Sequence, residues 1–251
     1  MRTVRYDRRR PTMTPELEER TMAESAVPYT MPVGAQSADV RVAFLRRVYA
    51  HLGWAVLAFV LLEYVLFTTG LAEAITAFVL GTSWLLILGG FVLISWLSSS
   101  VAHRATTPAA QYGGYAALIV AEALIFAPML FIASLQAPGA ISQAAMLSVV
   151  GFAGLTLVAL SSGRDFSTLG ALLKWGGIVA LLAIVAAVLF GLELGTWFSV
   201  AMIAYAGGAI LYDTAKILRV YPSDRHVAAS MQLFASLALL FWYVLRLLMR
   251  R

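Results

Sequence analysis

The chain has 251 residues, of which 61% are hydrophobic and only 12% charged, and its net charge is +5. So little polar side chain cannot cover a water-soluble globule of this size, and lipid is the solvent for most of the surface. The absence of cysteine excludes disulfides, thiolate metal sites and a cysteine nucleophile, while the basic excess reports orientation and contact with anionic lipid rather than nucleic acid.

Residues 1–40 mix Arg8, Arg9 and Arg10 with Pro11, Glu16, Glu18, Glu19, Pro28 and Pro32 and have no apolar period, so they read as a disordered cytoplasmic tail. No short apolar core follows the early arginines, which argues against a secretory signal, and Asp7 with the Glu cluster argues against a transit peptide. Residues 41–251 form one membrane domain. Apolar runs are expected near 48–69, 79–101, 109–133, 141–161, 170–190, 196–218 and 229–248. Each is long enough to cross about 30 Å of hydrocarbon at a rise of about 1.5 Å per residue. None shows the alternation of a barrel strand, and backbone groups in lipid must be satisfied internally, so all seven read as helices. The expected fold is an all-α integral membrane bundle of seven helices.

Positive residues are distributed unevenly. Arg41, Arg46, Arg47, Arg104, Arg164, Lys174, Lys216, Arg219 and Arg225 flank one set of span ends, whereas the loops around 70–78, 134–140 and 191–195 contain no Lys or Arg and include Glu73 and Glu193. The positive-inside rule then puts the N-terminus in the cytoplasm. Arg246, Arg250 and Arg251 conflict with it, because seven crossings leave them outside. A full seventh crossing is the preferred reading, and a last helix that dips in and returns is the alternative.

Glycine pairs occur in four spans, at Gly89 and Gly90, Gly113 and Gly114, Gly176 and Gly177, and Gly207 and Gly208. They are expected to let helices pack closely, or, in the sequence AGGA at 206–209, to form a hinge. Three acidic residues fall inside the spans: Glu63, Glu122 and Asp213. A charge at bilayer depth costs about 2.5–3.5 kcal/mol on insertion scales, so each is a candidate for an ion pathway or a packed polar contact. Asp213 lies near the cytoplasmic end of the sixth span, where its plain structural role is pairing with Lys216. Glu122, the most central acid, is followed by Pro128; it is expected to face the bundle interior or a watery cavity, as a proton-sensitive group or a hydrogen-bonded structural carboxyl. Glu63 is expected to snorkel toward the outer interface. His51, His103 and His226 sit on separate segments without the spacing of a metal site. No phosphate-binding loop, HExxH helix or GxSxG turn supports an enzyme. Asp213 and Lys216 imitate a retinal Schiff-base pair, but they stand on the sixth span with no Arg and Asp counter-ion on the third.

Three stretches resemble the Bax inhibitor-1 family, the transmembrane Bax inhibitor motif proteins. GFAGLTLVALSSGRDFSTLGALL at 151–173 is similar to the family's signature from the fourth to the fifth helix. FLRRVYAHLGWAVL at 44–57 is similar to its entry into the first helix, and LYDTAKIL at 211–218 to its sixth-helix aspartate motif. The resemblance runs from about 44 to 248 and implies a seven-helix bundle with the last helix near the centre. It also implies a calcium-permeable leak controlled by protons shared between an aspartate on the sixth helix and another on the seventh. Asp213 matches the first position. Aligned on Arg246, the last helix offers Ser236 at the second. Two carboxylates in one desolvated site titrate as a coupled pair, and Asp213 with Ser236 lacks that coupling, so proton gating is expected to be shifted or lost. The family's basic latch from the end of the second helix has Arg104 as its candidate here, against a plain role as a cytoplasmic topology charge.

The leading expectation is a leak or transporter-like protein for Ca²⁺ or other cations. Asp213 is the cation ligand or latch, and Asp213 with a hydroxyl makes only a weak, transient Ca²⁺ site, which suits passage. The ion pathway is expected to involve Asp213, Ser236, Glu122 and Arg104, with no resident cofactor. The rival is a non-conducting interaction protein that modulates a membrane-bound AAA protease or a stress response, its mobile tail serving as partner surface. Residence is expected in the cytoplasmic membrane of a bacterium.

Overall fold

The computed structural model describes residues 31–105, 107–162 and 166–250. Among these, eight helices are present: α1 (Ala38–Thr68), α2 (Leu71–Leu80), α3 (Trp84–Arg104), α4 (Pro108–Gln136), α5 (Ala140–Ser161), α6 (Ser167–Phe190), α7 (Thr196–Arg219) and α8 (His226–Leu248). All but α2 are long and apolar enough to cross a membrane. Arg164 and Arg251 lie outside the described residues, as do residues 1–30 of the expected tail.

Residues 31–37 differ from the expected tail. Val33 is wholly buried in a short 3-10 turn, Val33–Ala35, and its N–H donates to the Tyr221 carbonyl at 2.9 Å. Pro32 bridges to Pro222, and a Cβ on Gly34 would lie 2.9 Å from the Arg219 carbonyl oxygen. The segment is thus a strap across the end of α7 and the α7–α8 turn. It leads into α1 at Ala38, ten residues earlier than the apolar run suggests, with Asp39 in the first turn, where a negative charge favours the positive end of the helix dipole.

The stretch 70–78, expected as a loop, is mostly α2. Gly70, at φ 77°, reverses the chain straight after α1. α2 then packs on α4 and α1 through Ala72 and Thr76, spaced one turn apart. Its ten residues reach only about 15 Å, so it cannot cross. α4 starts with Pro108 at its first position and Thr107 as cap, the hydroxyl accepting from the Ala110 N–H at 3.4 Å. It continues through Pro128.

α8 occupies the middle. It is the most buried span and packs against α1, α3, α4, α5 and α7. It is one unbroken helix of 23 residues, long and apolar enough to cross a membrane. At its start Arg225 reaches the end of α3, donating to the carbonyls of His103 and Ala105, while at its end Arg246 and Arg250 donate to the Leu194 carbonyl in the α6–α7 connection. The two ends of α8 therefore meet connections on opposite faces of the bundle, which answers the charge conflict at the C-terminus in favour of the full crossing. Those arginines serve to bind a loop carbonyl.

The glycine pairs divide. A Cβ on Gly114 would sit 2.8 Å from the Ser98 carbonyl oxygen, so this residue sets the close approach of α3 and α4. Gly176 and Gly177 seat the Tyr205 ring, whose hydroxyl donates to the Leu173 carbonyl at 3.0 Å. Gly89, Gly90 and Gly113 face open space. α6 is the least buried span, and its principal support is α7.

Candidate functional site

Asp213 lies six residues before the end of α7, about 9 Å along the axis, yet is only 3% exposed. The Ser236 hydroxyl of α8 donates to its Oδ2 at 2.6 Å. Gln232, one turn earlier on α8, and Lys216, one turn later on α7, also face the carboxylate. Sequence reasoning missed Gln232, because nothing in its own neighbourhood indicates which residue stands opposite. Periodicity back from Ser236 by four residues was the available signal. Lys216 does not commit to the carboxylate alone: its Nζ lies over the Tyr212 and Tyr221 rings at 5.8 and 5.9 Å.

Beyond this pair, where the ends of α3 and α7 meet the start of α8, the bundle is tied by contacts that the sequence did not indicate. His103 Nε2 and the Tyr221 hydroxyl are 3.0 Å apart. Arg225 Nη1 donates to the carbonyls of Ala105 at 2.7 Å and His103 at 3.2 Å, capping α3 with a cation where the helix dipole favours one. Burial first, then the charge of Asp213 and the neighbouring Tyr212, pushes the Tyr221 phenol above its ordinary range, so it remains a neutral hydrogen-bonding group. Arg104 is exposed and forms no ion pair with Asp213 among the described residues. The end of α3 is held through its neighbour His103 and through Arg225.

Glu122 is 7% exposed on α4 but is not brought to Asp213, whose facing groups come from α7 and α8. Glu63 does not snorkel. It is 7% exposed, and both of its oxygens are buried without a hydrogen-bond partner among the described residues. His51 and His226, on separate segments in sequence, meet with rings 4.8 Å apart, and His51 also lies 2.7 Å from the Tyr112 hydroxyl. Among the described residues no cluster of three or more His, Asp or Glu could hold a metal ion. Asp213 and Ser236 together offer oxygen donors of the kind a calcium ion accepts, in a set too small for a resident site.

The model of the family described as inhibitor of apoptosis-promoting Bax1 matches residues 41–251, which takes in α1 from its first turn, all the later helices and the Asp213–Ser236 pair. The chain belongs to the Bax inhibitor-1 family. The Golgi anti-apoptotic protein of vaccinia virus (strain Lister) is 28% identical over 245 residues, covering 93% of this chain and 96% of the viral one. Protein lifeguard 4 of Mus musculus is 26% identical over 230 residues, covering 91% and 94%. No solved structure matches the chain. This member of the Bax inhibitor-1 family is thus a multi-pass membrane protein with anti-apoptotic relatives.

Proposed function

We propose that the protein mediates a leak of calcium or a similar cation across its membrane, with Asp213 as the ion-facing group of a closed cytoplasmic constriction. The observation that carries this reading is the carboxylate of Asp213, 3% exposed between two membrane helices and held by Ser236. An acid kept at such depth needs a partner or a task, and Ser236, with Gln232 alongside, leaves part of its acceptor capacity free for a passing cation. Weak coordination by one carboxylate suits conduction better than storage. With Ser236 in place of a second carboxylate, proton control is shifted from neutrality or lost. The uneven arginines support an N-terminus in the cytoplasm, and a bacterial cytoplasmic membrane is the residence we assign.

Purified protein in calcium-loaded phospholipid vesicles tests this directly. We expect protein-dependent calcium efflux that Asp213→Asn changes several-fold. Vesicles that stay sealed with the wild-type chain would end the leak hypothesis.

The substitution at Ser236, together with the anti-apoptotic names of the relatives, favours a second reading: a non-conducting membrane protein that binds a regulatory partner, such as a membrane-bound AAA protease. Deleting residues 1–30, which leaves the strap and α1 intact, then abolishes partner capture and leaves vesicle flux unchanged.

A further inference from the structure

A cavity of about 530 Å³ lies between α1, α4, α5 and α8, and Asp213 is not among its lining residues. Its size is that of a small-molecule site, roughly 300–1,000 Å³. It runs inward from Gly139, the cap of α5, to walls formed by Phe59, Phe126, Phe234 and Phe241. Two polar side chains interrupt this apolar lining. Glu63 of α1 is 7% exposed and Ser148 of α5 is 1% exposed. Neither Glu63 oxygen nor the Ser148 hydroxyl has a hydrogen-bond partner among the described residues. Among the described residues no Lys, Arg or His lines the cavity, so none of them brings a counter-charge to the carboxylate there.

Buried acceptors without donors are strongly disfavoured unless something else completes them. Position indicates what that is. Glu63 stands five residues from the end of α1, about 8 Å from it, whereas Phe126 and Phe234 belong to the middle of the bundle. The cavity is therefore acidic near one membrane face and aromatic at depth, the polarity of an amphiphile.

We infer that it binds a single-chain amphiphile with a protonated amine head, the amine on Glu63 and Ser148 and the chain against Phe126, Phe234 and Phe241. An ammonium supplies both the missing donors and the missing charge. A neutral alcohol supplies a donor only, and a carboxylate or phosphate head is repelled.

The full chain in phosphatidylcholine nanodiscs at neutral pH, titrated separately with dodecylamine, dodecanol and dodecanoate under native mass spectrometry, tests the inference. One dodecylamine should bind per chain, saturably and at least about tenfold more tightly than dodecanol, with dodecanoate excluded. Glu63→Gln should lower amine affinity about tenfold and leave dodecanol nearly unchanged, and Ala145→Phe, which fills the cavity, should weaken both. Unsaturable uptake, equal wild-type affinity for amine and alcohol, or amine affinity unaffected by Glu63→Gln would each overturn it. The amine and alcohol comparison needs only the wild-type chain, so poor folding of a variant does not protect the idea.

Discussion

Ser236 governs what Asp213 can do. A hydroxyl donates one hydrogen bond to the carboxylate at 2.6 Å and carries no titratable proton in the physiological range, so the pair binds protons as one group. Ser236→Asp introduces a second acid at hydrogen-bonding distance, and two carboxylates so placed cannot both ionise freely. Calcium flux from vesicles containing that variant should acquire a pH transition near neutrality that the wild type lacks. A wild-type transition at the same pH, abolished by Asp213→Asn, would show that the serine does not uncouple the site.

The elements bear out how much close packing in lipid depends on which glycine faces which backbone. Gly114 touches the main chain of α3, where a methyl group would sit 2.8 Å from a carbonyl oxygen, while its neighbour Gly113 faces open space. Gly114→Ala should therefore destabilise by about 1–3 kcal/mol through overpacking. Gly113→Ala should be neutral or stabilising by up to about 1 kcal/mol. Thermal unfolding of the two variants in detergent makes the comparison. In sequence the two residues are indistinguishable, and that marks the limit of reading this chain by pattern. The seven spans were legible because hydropathy is a local property. α2 was absorbed into a loop because ten residues fall short of a crossing and its main partner, α4, lies beyond α3 in the chain. Asp213 was visible as an isolated charge and Ser236 through the family resemblance, but Gln232, Tyr221 and Arg225 become relevant only when three chain segments converge. Glu63 was misjudged for the same reason: its nearness to a helix end suggested an interfacial position, whereas it is buried at the wall of the cavity between α1, α4, α5 and α8.

At the scale of the molecule, the end of the bundle nearest Asp213 is held by a joint among three parts of the chain: the strap at 31–37, the end of α3, and the turn between α7 and α8. Arg225 is its hub, since its guanidinium takes two carbonyls of the α3 end that have no helical donors of their own. Arg225→Ala frees the His103 carbonyl and leaves Ala105 only the longer bond from Gln111 at 3.4 Å, and calcium efflux from loaded vesicles should rise several-fold. Unchanged efflux, with the variant folded as judged by its melting curve, would show that this joint does not restrain the pathway.

The placement of α8 sets an order of events in synthesis. The helix that fills the axis of the bundle leaves the ribosome after the seven helices before it, so those helices must enter lipid around a centre that does not yet exist. Until the C-terminal segment arrives, Asp213 has no hydroxyl partner and the aromatic faces of α1 and α4 lack their cover. Assembly is therefore concluded only after α8 has emerged, and nascent chains arrested at residue 225 should remain sensitive to protease along their loops, whereas chains extended through α8 resist. A protein assembled in this order exposes the Asp213 carboxylate to insertion and quality-control machinery for the whole time α8 is being made.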